Sequence, residues 1–197
     1  MASSLKLEEI SITPIQVPAE IASLLVLLRA EQPRHVLEIG TANGGTLYLL
    51  SWASAPNARI LSLDIKNYEP PHRRVFESFG RGTQQVRVMQ GDSHLDVTRD
   101  AVRGFFGDDL DFLLIDGDHS AASVRRDYEL FAPLVRPGGL IAFHDIVDGP
   151  EELVGGVPAF WRDVRAELDD PLELVESWAQ GGFGIGVGRR RTPVKPS

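Results

Sequence analysis

The sequence predicts an α/β fold with one mainly parallel β-sheet. Five short apolar segments typical of β-strands alternate with segments of helical spacing, which indicates parallel strands joined by helices. Two further strand-like segments near the end of the 197-residue chain have no helix between them, which predicts an antiparallel hairpin at one edge. Polar residues follow the predicted parallel strands, at the edge of the sheet where open α/β folds bind ligands.

Apolar spacing and proline or glycine breaks identify the elements in chain order. Pro18 fits the first turn of a helix, apolar residues then recur at helical spacing as far as Leu28, and Pro33 ends the helix. The parallel strands are predicted at 36–39, 60–64, 86–89, 111–115 and 140–143, and the hairpin strands at 172–178 and 183–187. Further helices are predicted at 46–53, around 74–79, at 94–106 with Asp92 or Ser93 as its cap, at 121–135 before a tight turn at 137–139, and at 158–168.

The composition excludes several classes of function. Lys and Arg number 20 and Asp and Glu number 28, and the resulting net charge of −8 argues against general binding of nucleic acid. The chain has no cysteine, which excludes a thiol nucleophile, a disulfide framework and a zinc-thiolate site. The longest apolar run, Leu24–Leu28, is too short to cross a bilayer, and Glu8 and Glu9 do not fit a secretory signal. We therefore expect a cytoplasmic protein with neither a nucleic-acid nor a membrane partner.

The chain length predicts a single domain, which we place at residues 1–188 with a helical segment at its N-terminal end. Arg189–Arg191 and Lys195 form the one basic cluster, and we expect residues 189–197 to be a basic flexible tail. Trp52 and Trp178 are expected in the core. Phe160 and Trp161 either form the floor of a substrate pocket or pack in the core.

A glycine-rich segment, Glu38–Gly45, follows the first predicted strand and begins a helix. Its glycines permit a tight turn and a close backbone approach. Ala42 stands where dinucleotide-binding motifs have their second glycine, which makes a nicotinamide dehydrogenase a weak alternative, and no Lys-Ser/Thr pair follows as in a phosphate-binding loop. The acidic Glu38 before the first glycine argues against a pyrophosphate and for a cationic or hydroxyl-rich ligand.

Acidic residues end the next two predicted strands. Asp64 ends the second strand, where a carboxylate can bind two ribose hydroxyls. Gly91–Asp92–Ser93 follows the third strand, where an aspartate can accept a hydrogen bond from an adenine amino group. The alternative is that Asp64 and Asp92 only cap the helices that follow them.

Together, Glu38-x-Gly40-x-x-x-Gly44, Asp64 and Gly91–Asp92 resemble the pattern of class I S-adenosylmethionine (SAM)-dependent methyltransferases, from about residue 16 to 187. The resemblance implies a Rossmann-like, seven-stranded, mainly parallel sheet with an antiparallel last strand and helices on both faces. It implies SAM as the cofactor, a methionine pocket shaped by glycines, a ribose at Asp64 and an adenine near Asp92. The cofactor-binding residues that it implies are Glu38, Gly40, Thr41, Gly44, Asp64, Gly91, Asp92, Ser93 and Asp116.

Two further polar clusters, Asp116–His119 and His144–Asp145, follow the fourth and fifth strands and can converge on one cation. Residues 115–120, 138–145 and 156–161 resemble the branch of cephalosporin hydroxylase-like proteins and metal-dependent sugar O-methyltransferases of macrolide biosynthesis. This resemblance implies a divalent cation at Asp116, His144 and Asp145, with Asp116 and His119 as catalytic residues and His119 as the base.

Alternatives remain open at each of these positions. His144 stands where the metal-dependent relatives usually have an acid, so either the metal is a transition metal such as Mn rather than Mg, or His144 is a second acid/base group, or no metal binds. Asp116 is otherwise a cofactor contact or a helix cap, and His119 is otherwise a helix cap or an ordinary polar contact at a helix start. Asp118 is either a spare ligand or a solvated loop residue.

The sequence therefore predicts a SAM-dependent O-methyltransferase that acts on a small-molecule hydroxyl of a sugar or natural product. The alternative is a catalytically silent module that binds SAM or its demethylated product, SAH, as the partner of another tailoring enzyme. The short segment before the first helix leaves the pocket open, so we expect a homodimer or higher homo-oligomer.

Overall fold

The computed structural model describes residues 12–192 and contains one seven-stranded sheet in the order β3-β2-β1-β4-β5-β7-β6. Strands β1 to β5 are parallel, and β7 runs antiparallel to both of its neighbours, β5 and β6. The predicted Rossmann-like fold with an antiparallel last strand is confirmed. The strands are β1 (His35–Ile39), β2 (Arg59–Asp64), β3 (Gln85–Gln90), β4 (Leu110–Ile115), β5 (Val135–His144), β6 (Leu168–Leu174) and β7 (Ile185–Arg190).

Helices cover both faces of the sheet, because alternate strand residues point to opposite faces. Along β1, for example, Val36 packs into one core cluster, whereas Leu37 and Ile39 pack into the other. The first three helices lie on the Val36 side, and the fourth, fifth and seventh lie on the Leu37 side. The helices are α1 (Pro18–Glu31), α2 (Gly45–Ala53), α3 (Pro70–Glu77), α4 (Asp96–Phe106), α5 (Ala121–Phe131), α6 (Glu151–Val154) and α7 (Val157–Val164).

The predicted end of the fifth helix is wrong. Helix α5 stops at Phe131, a short 3₁₀ turn covers Ala132–Leu134, and β5 begins at Val135. Pro133 explains the early stop, because proline lacks the backbone N–H that an α-helix needs. Residues 137–139, predicted as a turn, lie in a bulge inside β5. Leu110 of β4 pairs with Val135 of β5, but Phe112, two residues later, pairs with Leu140.

The C-terminal boundaries also differ from the prediction. Helix α7 ends at Val164, and β6 occupies residues 168–174 instead of 172–178. The basic tail does not begin at residue 189, because Arg189 and Arg190 belong to β7. Arg189 forms an ion pair with Glu31 at 2.6 Å, which neutralises its charge near the end of β7. Lys195 lies outside the described residues.

Two side-chain predictions are corrected as well. The N-cap of α4 is Leu95 without a side-chain cap, so neither Asp92 nor Ser93 caps this helix. Trp52 is 46% exposed and Trp178 is 59% exposed, so both lie on the surface instead of in the core. The guanidinium of Arg81 covers the Trp52 ring at 3.6 Å and shields one of its faces.

The loop between β6 and β7 is anchored to α1 by a buried carboxylate. Glu20 Oε1 accepts hydrogen bonds from the backbone N–H of Glu176 at 3.0 Å and from the side-chain amide of Gln180 at 2.7 Å. Its Oε2 accepts a hydrogen bond from the N–H of Gly184 at 2.9 Å. Glu20 is buried, and these three hydrogen bonds compensate its carboxylate for the loss of contact with water.

Within residues 12–192, none of the helices has the length and apolar character needed to span a bilayer.

We expect Glu20→Ala to lower the free energy of unfolding by about 2–4 kcal/mol, because it removes the acceptor of one buried and two partly buried hydrogen bonds. Urea unfolding followed by circular dichroism measures the change. Glu129→Ala, at an exposed position on α5, is the matched control and should change stability by less than about 0.5 kcal/mol. Equal unfolding midpoints for the two variants would contradict the anchoring role.

Candidate functional site

The residues that follow β1 to β5 meet at the carboxyl edge of the sheet and line two adjoining cavities. The distal cavity, about 470 Å³, contains Asp64, Asp92 and Asp118. The central cavity, about 320 Å³, contains His119 and Asp145. Both cavities share the lining residues Gly40, Ala42, Asp116 and Gly117, so they form two halves of one cleft.

Gly40 sits where the loops after β1 and β4 come closest. Its φ is +97°, and a Cβ atom there would lie 1.9 Å from the backbone oxygen of Asp116. Only glycine fits this position, so the expected close backbone approach exists but is made to another loop of the protein. Gly44 is the N-cap of α2 and packs against the ring of Phe76, and it lines neither cavity.

Asp64 holds the glycine-rich loop in place. Its Oδ2 accepts hydrogen bonds from the N–H of Thr41 at 2.9 Å, the N–H of Ala42 at 3.3 Å and the hydroxyl of Tyr68 at 2.8 Å. Its Oδ1 accepts one from the N–H of Lys66 at 2.8 Å. A carboxylate offers about four acceptor sites, so Oδ1 is the oxygen with capacity left for a ligand hydroxyl. Asp64 does not cap α3, whose N-cap is Glu69.

Glu38 lies beneath the loop and lines neither cavity. Its Oε2 accepts a hydrogen bond from the Ser62 hydroxyl at 2.5 Å, and the Ser62 hydroxyl is 2.7 Å from that of Thr41. Complete burial raises the pKa of Glu38 well above its usual range. An uncharged Glu38 therefore supports the loop from below instead of presenting a carboxylate to a ligand.

The β3–α4 loop forms the far wall of the distal cavity. Gly91, Asp92 and Ser93 all line it. Asp92 Oδ1 accepts a hydrogen bond from the N–H of His94 at 2.9 Å, which orders the loop. Asp118 lines the same cavity, accepts a hydrogen bond from the N–H of Ser120 at 2.8 Å, and does not belong to the cluster of possible metal ligands.

Asp127 of α5 is buried next to this wall and was not singled out from the sequence. Its carboxylate Oδ1 lies 3.7 Å from His94 Nε2, and neither of its oxygens has a hydrogen-bond partner among residues 12–192. Burial raises the pKa of Asp127 to about 6, although the nearby side chains of Ser93 and His94 favour its charged form. A single aspartate in a helix has no sequence pattern that reveals its burial.

Asp116, His144 and Asp145 converge in the central cavity, and their ligand atoms all lie within 4.8 Å of one another. His144 Nδ1 is 3.2 Å from Asp116 Oδ1 and 3.2 Å from Asp145 Oδ2. Burial alone would lower the pKa of His144, but the two carboxylates outweigh it and raise that pKa to about 10. In return, His144 and His119 outweigh the effect of burial on Asp116 and lower its pKa to about 2.

His119 faces the same cluster from the start of α5. Its Nδ1 is hydrogen-bonded to the backbone oxygen of Leu153, which only accepts, so Nδ1 carries the proton. Its Nε2 points to the cluster, 3.3 Å from Asp145 Oδ2 and 3.9 Å from Asp116 Oδ1. The contact with Asp116 raises the pKa of His119, against the effect of burial. The cap of α5 is Ser120, so His119 is not a helix cap.

This donor set fits a divalent cation. Two carboxylate oxygens and one imidazole nitrogen stand close enough to share an ion, and the imidazole favours a transition metal over Mg. The proton on His144 Nδ1 occupies the position of a ligand lone pair, so a cation must displace it, as metals displace protons from their ligands generally.

The central cavity includes residues that sequence reasoning missed. Gln16 from the segment before α1 donates a hydrogen bond to Asp116 Oδ2 at 3.1 Å, and the backbone N–H of Phe183 donates one to Asp145 Oδ1 at 3.0 Å. Leu153 orients His119 as described above. Phe160 and Trp161 are buried in the core and line neither cavity, so they do not form its floor.

A divided cleft at the carboxyl edge of a parallel sheet, with acids after successive strands, defines a Rossmann-like nucleotide-binding domain. Residues 37–146, more than half of the chain, match the family model described as a methyltransferase domain. The chain therefore belongs to the methyltransferase domain family, which confirms the predicted class. No curated protein sequence is significantly similar to the chain.

Solved structures share the fold. The chain is 21% identical to the Bacillus cereus O-methyltransferase solved with SAH, with a TM-score of 0.65 over 90% of this chain and 84% of that one. It is 19% identical to the O-methyltransferase TomG of Streptomyces achromogenes, involved in tomaymycin synthesis, with a TM-score of 0.62 over 91% and 82%. MycE of the mycinamycin pathway, solved with Mg, SAH and mycinamycin VI, is 21% identical with a TM-score of 0.57 over 91% and 56%.

We expect Asp127→Asn to remove a pH-dependent loss of stability. The folded protein holds the Asp127 proton up to a pKa of about 6, whereas the unfolded chain releases it near the ordinary aspartate pKa of 3.8. Stability therefore falls as the pH rises through this interval, and at pH 7 the variant should be more stable than the wild type by about 2–3 kcal/mol. Urea unfolding at pH 4 and pH 7 measures the difference. Asp163→Asn, at an exposed position on α7, is the control, and a wild-type level of stability at pH 7 would contradict the prediction.

Proposed function

We propose that the protein is a SAM-dependent O-methyltransferase that methylates a hydroxyl of a small sugar or natural product. The observation that carries the proposal is the position of His119 Nε2, which faces Asp116 and Asp145 in a cavity sharing a wall with the distal cavity. The family membership supports methyl transfer, and the named O-methyltransferases among the similar folds support oxygen as the acceptor atom.

The two cavities suit the two substrates. We assign the nucleoside of SAM to the distal cavity, with its ribose at Asp64 Oδ1 and its adenine beside Asp92 and Ser93. The methionine portion then lies along Gly40 and Thr41, where the cavities join. Asp116 borders both cavities, which suits a residue that stands between the methyl donor and the acceptor.

The acceptor oxygen attacks the methyl carbon, a C–O bond forms, the S–C bond breaks, and the sulfonium becomes the neutral thioether of SAH. His119 Nε2 takes the hydroxyl proton, while its Nδ1–H stays on the Leu153 carbonyl and fixes the ring. A cation held by Asp116, His144 and Asp145 would lower the pKa of a bound hydroxyl. Asp116 and Asp145 favour the protonated form of His119, because their carboxylates raise its pKa.

Part of the wall of the central cavity is apolar. Ile15, Leu153, Val154 and Phe183 line it, and a volume of about 320 Å³ suits one ring of an acceptor. MycE, crystallised with mycinamycin VI, supports a natural-product acceptor. Ile15 and Leu153 line this cavity and are exposed, and we propose that a second copy of the chain covers them in a homodimer or higher homo-oligomer within the cytoplasm.

The first test is cofactor binding. We expect SAH to bind the wild type saturably below millimolar concentration in titration calorimetry. Asp64→Asn should weaken binding about 10-fold or more, because an amide N–H then faces the N–H groups that Asp64 now accepts from. Asp163→Asn is the control and should bind like the wild type. Wild-type protein that does not bind SAH would refute the proposal.

The second test separates catalysis from binding. Transfer of a labelled methyl group from SAM to a panel of hydroxyl acceptors should proceed with the wild type and fall about 10²- to 10⁴-fold in His119→Ala, because the base is lost. SAH affinity should stay nearly the same. His72→Ala on α3, away from the cleft, is the control. Loss of SAH affinity in His119→Ala would show a structural role, and SAH binding without transfer to any acceptor would favour the silent binding module.

A further inference from the structure

The segment that precedes α1 lies directly on the start of α2. A Cβ atom at Gly45 would stand 2.1 Å from the backbone nitrogen of Pro14 and 2.3 Å from the carbonyl carbon of Thr13. No residue with a side chain fits beneath this contact, so glycine at position 45 is what permits the segment to pass there. The contact places the following residues, Ile15 and Gln16, between the glycine-rich loop and the central cavity.

Gln16 links α2 to Asp116 with both ends of its side-chain amide. The Thr46 hydroxyl donates to Gln16 Oε1 at 2.8 Å, and Gln16 Nε2 donates to Asp116 Oδ2 at 3.1 Å. The reversed amide would turn Oε1 towards the carboxylate of Asp116, where two acceptors repel each other. The partners therefore fix a single orientation of the amide.

The hydrogen bond from Gln16 determines which carboxylate oxygen of Asp116 faces the two histidines. With Oδ2 bound to Gln16, Oδ1 is the oxygen that lies 3.2 Å from His144 Nδ1 and 3.9 Å from His119 Nε2. The main chain of Asp116 is already fixed against Gly40, so the remaining freedom of this residue is the rotation of its carboxylate. Gln16 removes that freedom.

We propose that Gln16 is a positioning residue that fixes the Asp116 carboxylate and joins it, through Thr46, to the start of α2. The inference rests on the proposed function and adds a residue that supports the cation-binding acid from outside the cluster. Partners that orient a metal ligand typically contribute 10- to 100-fold in metal affinity, which is about the effect expected of Gln16.

The experiment titrates MnCl₂ and, separately, SAH into the full-length wild type and its variants by calorimetry. Gln16→Leu keeps the bulk of the side chain and removes its hydrogen bonds, and we expect it to weaken Mn²⁺ about 10-fold or more while SAH affinity changes less than about 3-fold. Thr46→Val should weaken Mn²⁺ in the same direction but less, because the amide keeps its bond to Asp116. Gln85→Leu, at an exposed position of β3, is the matched control and should behave like the wild type.

Each other outcome has a defined meaning. Wild-type Mn²⁺ affinity in Gln16→Leu overturns the inference, and an equal loss of Mn²⁺ and SAH affinity overturns it too, since that pattern indicates general disruption. A wild type that binds SAH but not Mn²⁺ overturns the inference and leaves the cofactor assignment standing. A wild type that binds neither refutes the proposed function itself.

Discussion

The contact between Gly40 and the main chain of Asp116 is the constraint on which the rest of the site depends. It presses the loop after β1 against the loop after β4, and the N–H of Asp116 completes the join by donating to the carbonyl of Ile39 at 2.9 Å. The shared wall of the two cavities is this contact. Because two neighbouring parallel strands supply it, the nucleoside and the acceptor that we propose for the two cavities would meet at this wall without a separate domain.

The sheet was predictable because its information is local. Short apolar runs identify each parallel strand, and short connections leave little choice in how successive parallel strands are joined. The boundaries were less predictable where local signals conflict. Pro133 ends α5 inside an otherwise helical pattern, and Arg189 looks like part of a solvated tail until Glu31 is placed opposite it by the fold.

The candidate site divides in the same way. Asp64, Asp92, Asp116, His119 and His144 were found because each follows a strand, and strand ends meet at one edge whatever the rest of the chain does. Gln16, Leu153 and Asp127 were not found, because their contacts join positions that are distant in sequence and no residue pattern marks them. Asp64 shows a further limit, since spacing predicted its location but not that its oxygens already hold the loop.

The anchoring of the β6–β7 loop by Glu20 also bears on when the site is completed. Glu20 is made early in synthesis, whereas its partners Glu176 and Gly184 emerge about 160 residues later. Until then the Glu20 carboxylate lacks these backbone donors, and Asp145 lacks the hydrogen bond from the N–H of Phe183. The residues that line the distal cavity end at Asp118, whereas the central cavity needs Gly181, Gly182 and Phe183, so the central cavity is the last part of the cleft to receive its residues during synthesis.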